Sequence, residues 1–354
     1  MGTRNSFISR WFNYLFMLSC LFVFAYPAGR LAFWYFEELT LAWVIALASW
    51  VLTILAARHS FGSAKMKVRY LVVHWMGASF VFASCTLLID FVRLFVPMHN
   101  FTAATAVMIV ALALILSAVV MSHHLSVRTL SIRSPKLARD YRIVHISDVH
   151  IGSRQKGFMR RIVNKINSLK PDYIVITGDL IDSSAVDIEA LESIRDLVAP
   201  TLFSIGNHER YAGLPKVIDM AAQLGMTTLR QETFHSLELA FTGIDDADDV
   251  NQVSNHLPEI APDTSKFNVL LYHRPVGWEA AIDHGIDLML SGHTHNGQIF
   301  PFNFVVKQQF PRISGLYVKD EARLYVSPGT GTWGPLMRLG SMNEVTLFEL
   351  KSDS

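Results

Sequence analysis

Two patterns of hydrophobic and polar residues divide this 354-residue chain. In the first third, four stretches contain no Asp, Glu, Lys or Arg: 11–29, 39–57, 70–89 and 94–127, of 19, 19, 20 and 34 residues. A helix needs about 20 apolar residues to cross the hydrocarbon core of a bilayer, so each stretch can cross once. The pattern predicts spans near 11–27, 40–57, 71–90 and 103–122. Four such helices in succession would leave no polar face to solvate, which argues against a soluble bundle. Arg4 and Arg10 precede the first run as they would in a signal peptide, but its length and the three spans behind it favour an anchor.

From residue 141 the period changes. Short apolar runs at 141–147, 173–177, 201–205, 267–272, 288–291, 324–327 and 344–350 read as strands. Amphipathic stretches near 157–169, 184–198 and 276–283 read as helices between them. Strands alternating with helices predict an α/β domain with helices on the sheet faces. The expected organisation is a transmembrane region over 1–125, a basic linker over 126–140 and a soluble domain over 141–354.

Charge sharpens the division. Residues 1–125 carry 8 Lys/Arg and 3 Asp/Glu, and the other 50 charged residues fall in the remaining 229. A net charge of +1 argues against a nucleic-acid partner. The 58–69 connection holds Arg58, Lys65, Lys67 and Arg69 without an acid, and Arg128, Arg133, Lys136 and Arg139 come after the last span. By the excess of positive charge on cytoplasmic loops, the N-terminus, the 58–69 loop and everything after 123 face the cytoplasm. The expected localisation is a multi-pass protein of a bacterial inner membrane, with the bilayer as a partner. Within the third span, Asp90 is expected to pair with Arg93 and His74 to be structural. The two cysteines, Cys20 and Cys85, both lie in the apolar part, so neither a disulfide framework nor a cysteine zinc site is expected.

The residues just past the strands carry the chemistry. Asp148 and His150 come after the first in SDVH, Asp179 and Asp182 after the second in GDLID, and Asn207, His208 and Glu209 after the third in GNHE. His273 comes after the 267–272 run, and His293 and His295 after the next in GHTH. In open α/β sheets, ligands bind beyond the carboxyl ends of the strands. The donors Asp148, His150, Asp179, Asn207, His273, His293 and His295 form a nitrogen and oxygen set without sulfur. That set suits manganese, iron or zinc, with manganese first. Seven donors exceed one tetrahedral ion but fill two sites if a carboxylate bridges them.

These blocks, DVH, GDLID, GNHE, YHRP and GHTH in that order, resemble the calcineurin-like metallophosphoesterase superfamily. The tail SGHTHNGQ–VSPGTGTWGP–RLG is similar to its YkuE/YaeI-like branch, here with an N-terminal multi-span anchor. The resemblance implies a β-sandwich flanked by helices, two divalent metal ions and a phosphorylated substrate. One metal would take Asp148, His150 and His295, the other Asn207, His273 and His293, with Asp179 bridging. Metal-activated hydroxide would attack phosphorus while His208 contacts the phosphate and protonates the leaving oxygen. Asp182 would orient a ligand. Arg338, like Asp182, would support a ligand from behind or bind phosphate; a structural surface arginine is the other reading. The branch usually has glycine where this chain has Asn296, which bears on the loop geometry and removes no ligand.

The implied activity is hydrolysis of a phosphodiester or pyrophosphate bond, on a lipid or lipid-linked substrate at the cytoplasmic leaflet; a UDP-2,3-diacylglucosamine hydrolase is one form of it. The segment 299–317, with Phe300, Phe302, Phe304 and Phe310, reads as a packed insertion or as a hydrophobic lip for lipid. The alternatives are a tethered phosphodiesterase for a soluble substrate and a non-catalytic scaffold or receptor on the same fold. The complete ligand set and His208 speak against the scaffold.

Overall fold

A computed structural model describes residues 18–61 and 66–353, and the chain forms two compact units, 1–119 and 120–354. In the first unit, a π-helical turn at Leu21–Ala25 leads into α1 (Tyr26–Phe36). Then come α2 (Leu39–Phe61), α3 (Met66–Val92) and α4 (Asn100–His123). Three helices among the described residues are long and apolar enough to cross a membrane: Leu39–His59, Val68–Val92 and Asn100–His123. They contain the spans expected at 40–57, 71–90 and 103–122. Among the described residues there are three such helices where four were expected. Residues 11–17 of the first expected span lie outside the described residues, as do Arg4, Arg10 and Lys65. The described helix from residue 18 runs on through Arg30, a charge that a simple apolar span would not carry.

Small residues let these helices approach closely, since lipid offers no hydrophobic drive for helices to associate. Ala103, Ala104, Val107, Ala111 and Ala118 are buried along one side of α4, and a Cβ on Gly29 would sit 2.9 Å from Ala46 Cβ. Asp90 pairs with Arg30 rather than with its neighbour Arg93. Tyr26 donates to it at 2.7 Å and Arg30 Nε at 2.9 Å, whereas Arg93 donates to the Met98 carbonyl and to Asn100 Oδ1. A guanidinium opposite a carboxylate on a facing helix aligns two donors at once, which a partner one turn away cannot do. His74 Nδ1 bonds the Tyr70 carbonyl one turn back, in keeping with a structural role.

In the second unit, β1 (Leu125–Ser134), β2 (Tyr141–Ile146), β3 (Tyr173–Thr177), β4 (Thr201–Ser204), β5 (Thr227–Thr228) and β12 (Asn343–Ser352) make one sheet, in the order β1-β12-β2-β3-β4-β5. The other sheet contains β6 (Glu232–His235), β7 (Leu239–Ile244), β8 (Phe267–Tyr272), β9 (Leu288–Ser291), β10 (Gly315–Lys319) and β11 (Ala322–Val326), in the order β10-β11-β9-β8-β7-β6. Side chains alternate between the two faces of each strand, and both faces are covered. Ile143, Val175, Leu202, Phe241, Val269 and Leu271 meet between the sheets. Val144, Ile174, Ile176 and Phe203 turn outward under α5 (Lys156–Ser168) and the helix Leu214–Gln223. Leu270 and Met289 pack under the helices Gln252–Ile260 and Trp278–Asp283. The result is a helix–sheet–sheet–helix sandwich.

Two expectations differ from this. Residues 126–134, read as part of a basic linker, lie in the edge strand β1, which pairs in parallel with β12 over its whole length. Its basic residues gave it a linker-like composition, but alternate positions such as Ile132 and Ser134 are buried against the sheet. The helix expected near 184–198 is two 3₁₀ turns, Ile188–Ala190 and Glu192–Asp196.

Phe241 is fully buried between the sheets and Leu237 is 80% exposed. Phe241→Ala is expected to lower unfolding free energy by about 4 kcal/mol. Leu237→Ala should change it by less than about 0.5 kcal/mol. Denaturant titration of the detergent-solubilised chain checks both values; a near-neutral Phe241→Ala would remove that ring from the core.

Candidate metal centre

β2, β3, β4, β8 and β9 run parallel and end at one edge of the two sheets. The loops beyond them carry every donor singled out in the sequence. To turn there, five of the seven take left-handed backbone: Asp148 (φ 55°), His150 (55°), Asp179 (54°), His293 (71°) and His295 (50°). Such residues are held at a cost of about 1–3 kcal/mol each, and they concentrate at functional sites. The adjacent glycines are there for space. A Cβ on Gly292 would overlap Asp148 Oδ2 and Ser147 Oγ, and one on Gly206 would overlap Asp179. Asn296 has φ 51°, which asparagine tolerates far better than most residues, so the departure from glycine leaves the turn intact.

Two groups of donors converge. In the first, His150 Nε2 lies 3.0 Å from His295 Nε2, and Asp148 Oδ1 lies 3.4 Å from His295 Nε2. In the second, His273 Nε2 lies 3.1 Å from His293 Nδ1 and 3.2 Å from Asp179 Oδ2. Asp179 Oδ2 also faces the first group, 3.8 Å from His150 Nε2. Its Oδ1 is engaged otherwise, accepting the His208 backbone N–H at 2.9 Å. One oxygen of Asp179 therefore stands between the two groups. Asn207 Oδ1 is buried with no hydrogen-bond partner, as an oxygen meant for a cation would be.

The far nitrogens of two histidines are fixed by other groups. His273 Nδ1 donates to the Thr177 carbonyl at 2.8 Å, and His150 Nδ1 meets Asp182 Oδ1. Both contacts aim Nε2 at the centre. Asp182 also lies 3.2 Å from His208 Nδ1 and accepts from Ser153, so one carboxylate orients two histidines. His145 sits in the strand interior, fully buried, bonded through Nε2 to Thr177 Oγ1. Asp245 and Asp246 are buried at the end of β7 and pair with Arg230 and Arg274.

Arg338 is fully buried, with Nη2 3.4 Å from His295 Nδ1. It donates to the carbonyls of His295 at 2.9 Å and Gly331 at 2.6 Å, and through Nε to Asn343 Oδ1. Of the expected roles, the position fits that of a residue supporting a ligand from behind, and not that of a surface arginine: it braces the backbone of His295. Glu209 is the residue that sequence reasoning left without a role. Buried completely, it accepts the backbone N–H groups of Asp179, Leu180 and Gly206 at 2.7–2.8 Å, tying the GDLID loop to the GNHE loop. The acid ending GNHE is the signal that could have found it.

The proton balance suits cation binding. Burial disfavours a charged His150, but Asp182, Asp179 and Asp148 outweigh it and push its pKa up to about 9. Burial likewise opposes charge on His273, and Asp179 and Asp148 outweigh it, taking it up to about 10. Burial, with His273 beside it, brings His293 down to about 3. Burial raises the Asp179 carboxyl, yet His273 and His150 hold it well below its ordinary value. His150 and His273 thus favour their charged forms at positions where a bound cation would supply the charge instead.

The calcineurin-like phosphoesterase family model matches residues 141–297. An uncharacterized metallophosphoesterase of Campylobacter jejuni is 33% identical over 75% of this chain and 77% of its own length. The chain belongs to the calcineurin-like metallophosphoesterases. A metallophosphoesterase of Aquifex aeolicus is 31% identical over 65% of this chain and 93% of its own. A Danio rerio protein named as a transmembrane protein with a metallophosphoesterase domain is 31% identical over 61% of this chain and 54% of its own. Among solved structures, phosphopantetheinyl hydrolase from Mycobacterium tuberculosis aligns over 56% of this chain and 92% of its own, at 12% identity and a TM-score of 0.37.

Metal ligation needs neutral imidazole, so cation binding at pH 7 should release protons from His150 and His273. Apparent affinity for manganese is expected to rise with pH from 6 and to level off once pH passes about 9–10. Calorimetry in buffers of different ionisation enthalpy counts the protons. No proton release would contradict this reading of the centre.

Proposed function

We propose that the protein is a membrane-anchored, two-metal phosphoesterase that hydrolyses a phosphodiester or pyrophosphate bond in a lipid or lipid-linked substrate at the cytoplasmic leaflet. The observation that carries the reading is the convergence of two donor groups on the single oxygen Asp179 Oδ2. Asp148, His150 and His295 would hold one ion, and Asn207, His273 and His293 the other, with Asp179 shared. The donor set fits manganese first, with iron or zinc as alternatives. When bound, the two ions would polarise the phosphoryl group and lower the pKa of the attacking water.

The chain's own residues supply the rest. His208 is partly exposed beside the donors, with Nδ1 facing Asp182 at 3.2 Å, which leaves Nε2 for the substrate. From there it can bind a phosphate oxygen and give a proton to the leaving oxygen. Asp182 holds His208 and His150 in a fixed relation, so the proton donor and a ligand move together. Glu209 keeps the loops of Asp179 and Asn207 at one spacing. Trp333 stands with its ring 5.9 Å from that of His208 and gives the open side of the site an apolar wall. The positive-inside charge pattern supports the cytoplasmic orientation, and the apolar helices support a substrate that shares the bilayer. A UDP-diacylglucosamine is one substrate of this chemistry.

Manganese-supplemented protein should hydrolyse bis-p-nitrophenyl phosphate. Asp179→Asn should lose both activity and bound metal. His208→Ala should lose about 100-fold or more in kcat while retaining its metal, as read by elemental analysis. Full activity in both variants would refute the assignment.

A further inference from the structure

An apolar rim and a basic face adjoin the same edge of the second unit, and neither supplies a metal donor or the proton donor. The rim has two segments. Phe300, Phe302 and Phe304 are 50%, 45% and 59% exposed just beyond the GHTH loop, and Trp333 is 54% exposed in the loop before Arg338. Gln298 joins them: its amide donates to the carbonyls of Trp333 and Pro335 and accepts the Trp333 N–H at 2.9 Å. The Phe300 N–H also donates to the Leu339 carbonyl at 2.8 Å. Four large apolar groups are therefore held outward on a braced surface, where a folding core would have turned them in.

The same edge is where the last apolar helix ends. β1 runs parallel to β12, and β12 is antiparallel to β2, so β1 begins at the edge where β2 ends and Asp148 lies beyond it. The last turn of α4, Val120–His123, belongs to the second unit. Ser122 Oγ donates to the Leu336 carbonyl at 3.0 Å, in the loop of Trp333, and Asn343 and Arg154 both donate to the Ser122 carbonyl. α4 is long enough to cross a bilayer. Within the second unit, the rim is hydrogen-bonded to this last turn, Val120–His123.

Charge completes the face. Residues 149–171 contain Arg154, Lys156, Arg160, Arg161, Lys165 and Lys170 and no acid. Arg161 donates to the His123 carbonyl at 2.7 Å, which puts the exposed, basic start of α5 beside the same turn. Arg160 has an exposed partner, Asp196, at 3.7 Å, a contact worth little in water. Aromatic side chains at interfacial depth beside a cationic helix are the combination that binds anionic lipid.

We propose that Phe300, Phe302, Phe304 and Trp333, with Lys156, Arg160 and Arg161, form a docking face for an anionic bilayer surface. The face would present the centre to phosphorylated headgroups in the plane of the membrane. This consequence rests on the phosphoesterase reading; the docking itself does not.

The test uses the full chain in nanodiscs, with Cys20 and Cys85 replaced by Ala and one bimane label at Phe302→Cys, Trp333→Cys or Leu237→Cys. Lipids spin-labelled on the acyl chain serve as quenchers. Leu237 is 80% exposed in the turn before β7, at the opposite end of that strand from Asp245 and the site. Labels at 302 and 333 should be quenched about threefold or more relative to 237 in discs containing phosphatidylglycerol. The combined charge reversal Lys156→Glu, Arg160→Glu and Arg161→Glu should remove most of that difference. Equal quenching at 302, 333 and 237, or quenching indifferent to anionic lipid and to the charge reversal, would overturn the proposal. Quenching needs no turnover, so failed docking and a failed phosphoesterase assignment register in separate assays.

Discussion

The position of one carboxylate organises the second unit. Asp179 has Oδ2 between two groups of imidazoles, Oδ1 on the His208 N–H, and its own N–H on Glu209. A buried carboxylate is stable only when surrounded by cations or donors. Here the surroundings come from five strand ends, so the sandwich and the centre specify each other. Burial and charge act in opposite directions on His150, His273 and Asp179, and in the same direction on His293 and His295. The balance favours positive charge at the positions where two ions would sit.

The centre also shows how separate loops are kept in register. Asp182 orients His150 and His208 together, Glu209 ties the β3 loop to the β4 loop, and Arg338 braces His295 from behind. None of the three needs to touch a substrate. Each fixes the spacing of groups that would. The buried guanidinium of Arg338 is costly to desolvate, and burial brings its pKa down to about 9. That cost is offset by carbonyl contacts on both the His295 turn and the Gly331 loop. The apolar unit solves a related problem differently: Arg30 and Asp90 neutralise one another between helices, and Gly29 and the alanines supply close contact.

Much of the centre was legible from the chain alone because its chemistry is written in short local blocks. SDVH, GDLID, GNHE and GHTH each place a donor directly after an apolar run, and a strand delivers the next few residues to its carboxyl end. The three later spans were legible because a bilayer imposes a minimum apolar length. Less was legible where the deciding partner lies far away in sequence. β1 read as a linker because its pairing partner, β12, begins more than 200 residues later. Asp90 has an arginine three residues away and pairs with one sixty residues back. Arg338 looked like a phosphate ligand because composition cannot tell a buried guanidinium from an exposed one.

The sequence by itself determined the donor types, their order, the α/β alternation and the apolar lengths, because each depends on neighbours within a few residues. Tertiary structure decided which oxygen of Asp179 is shared, that Arg338 faces inward, and that Glu209 holds two loops. It also decided that the strand after the last apolar helix starts at the edge carrying the metal ligands, with an aromatic and basic face around it. Those outcomes depend on strand order and on contacts across hundreds of residues. No local pattern records them, because the energy that selects them arises only when distant segments are buried together.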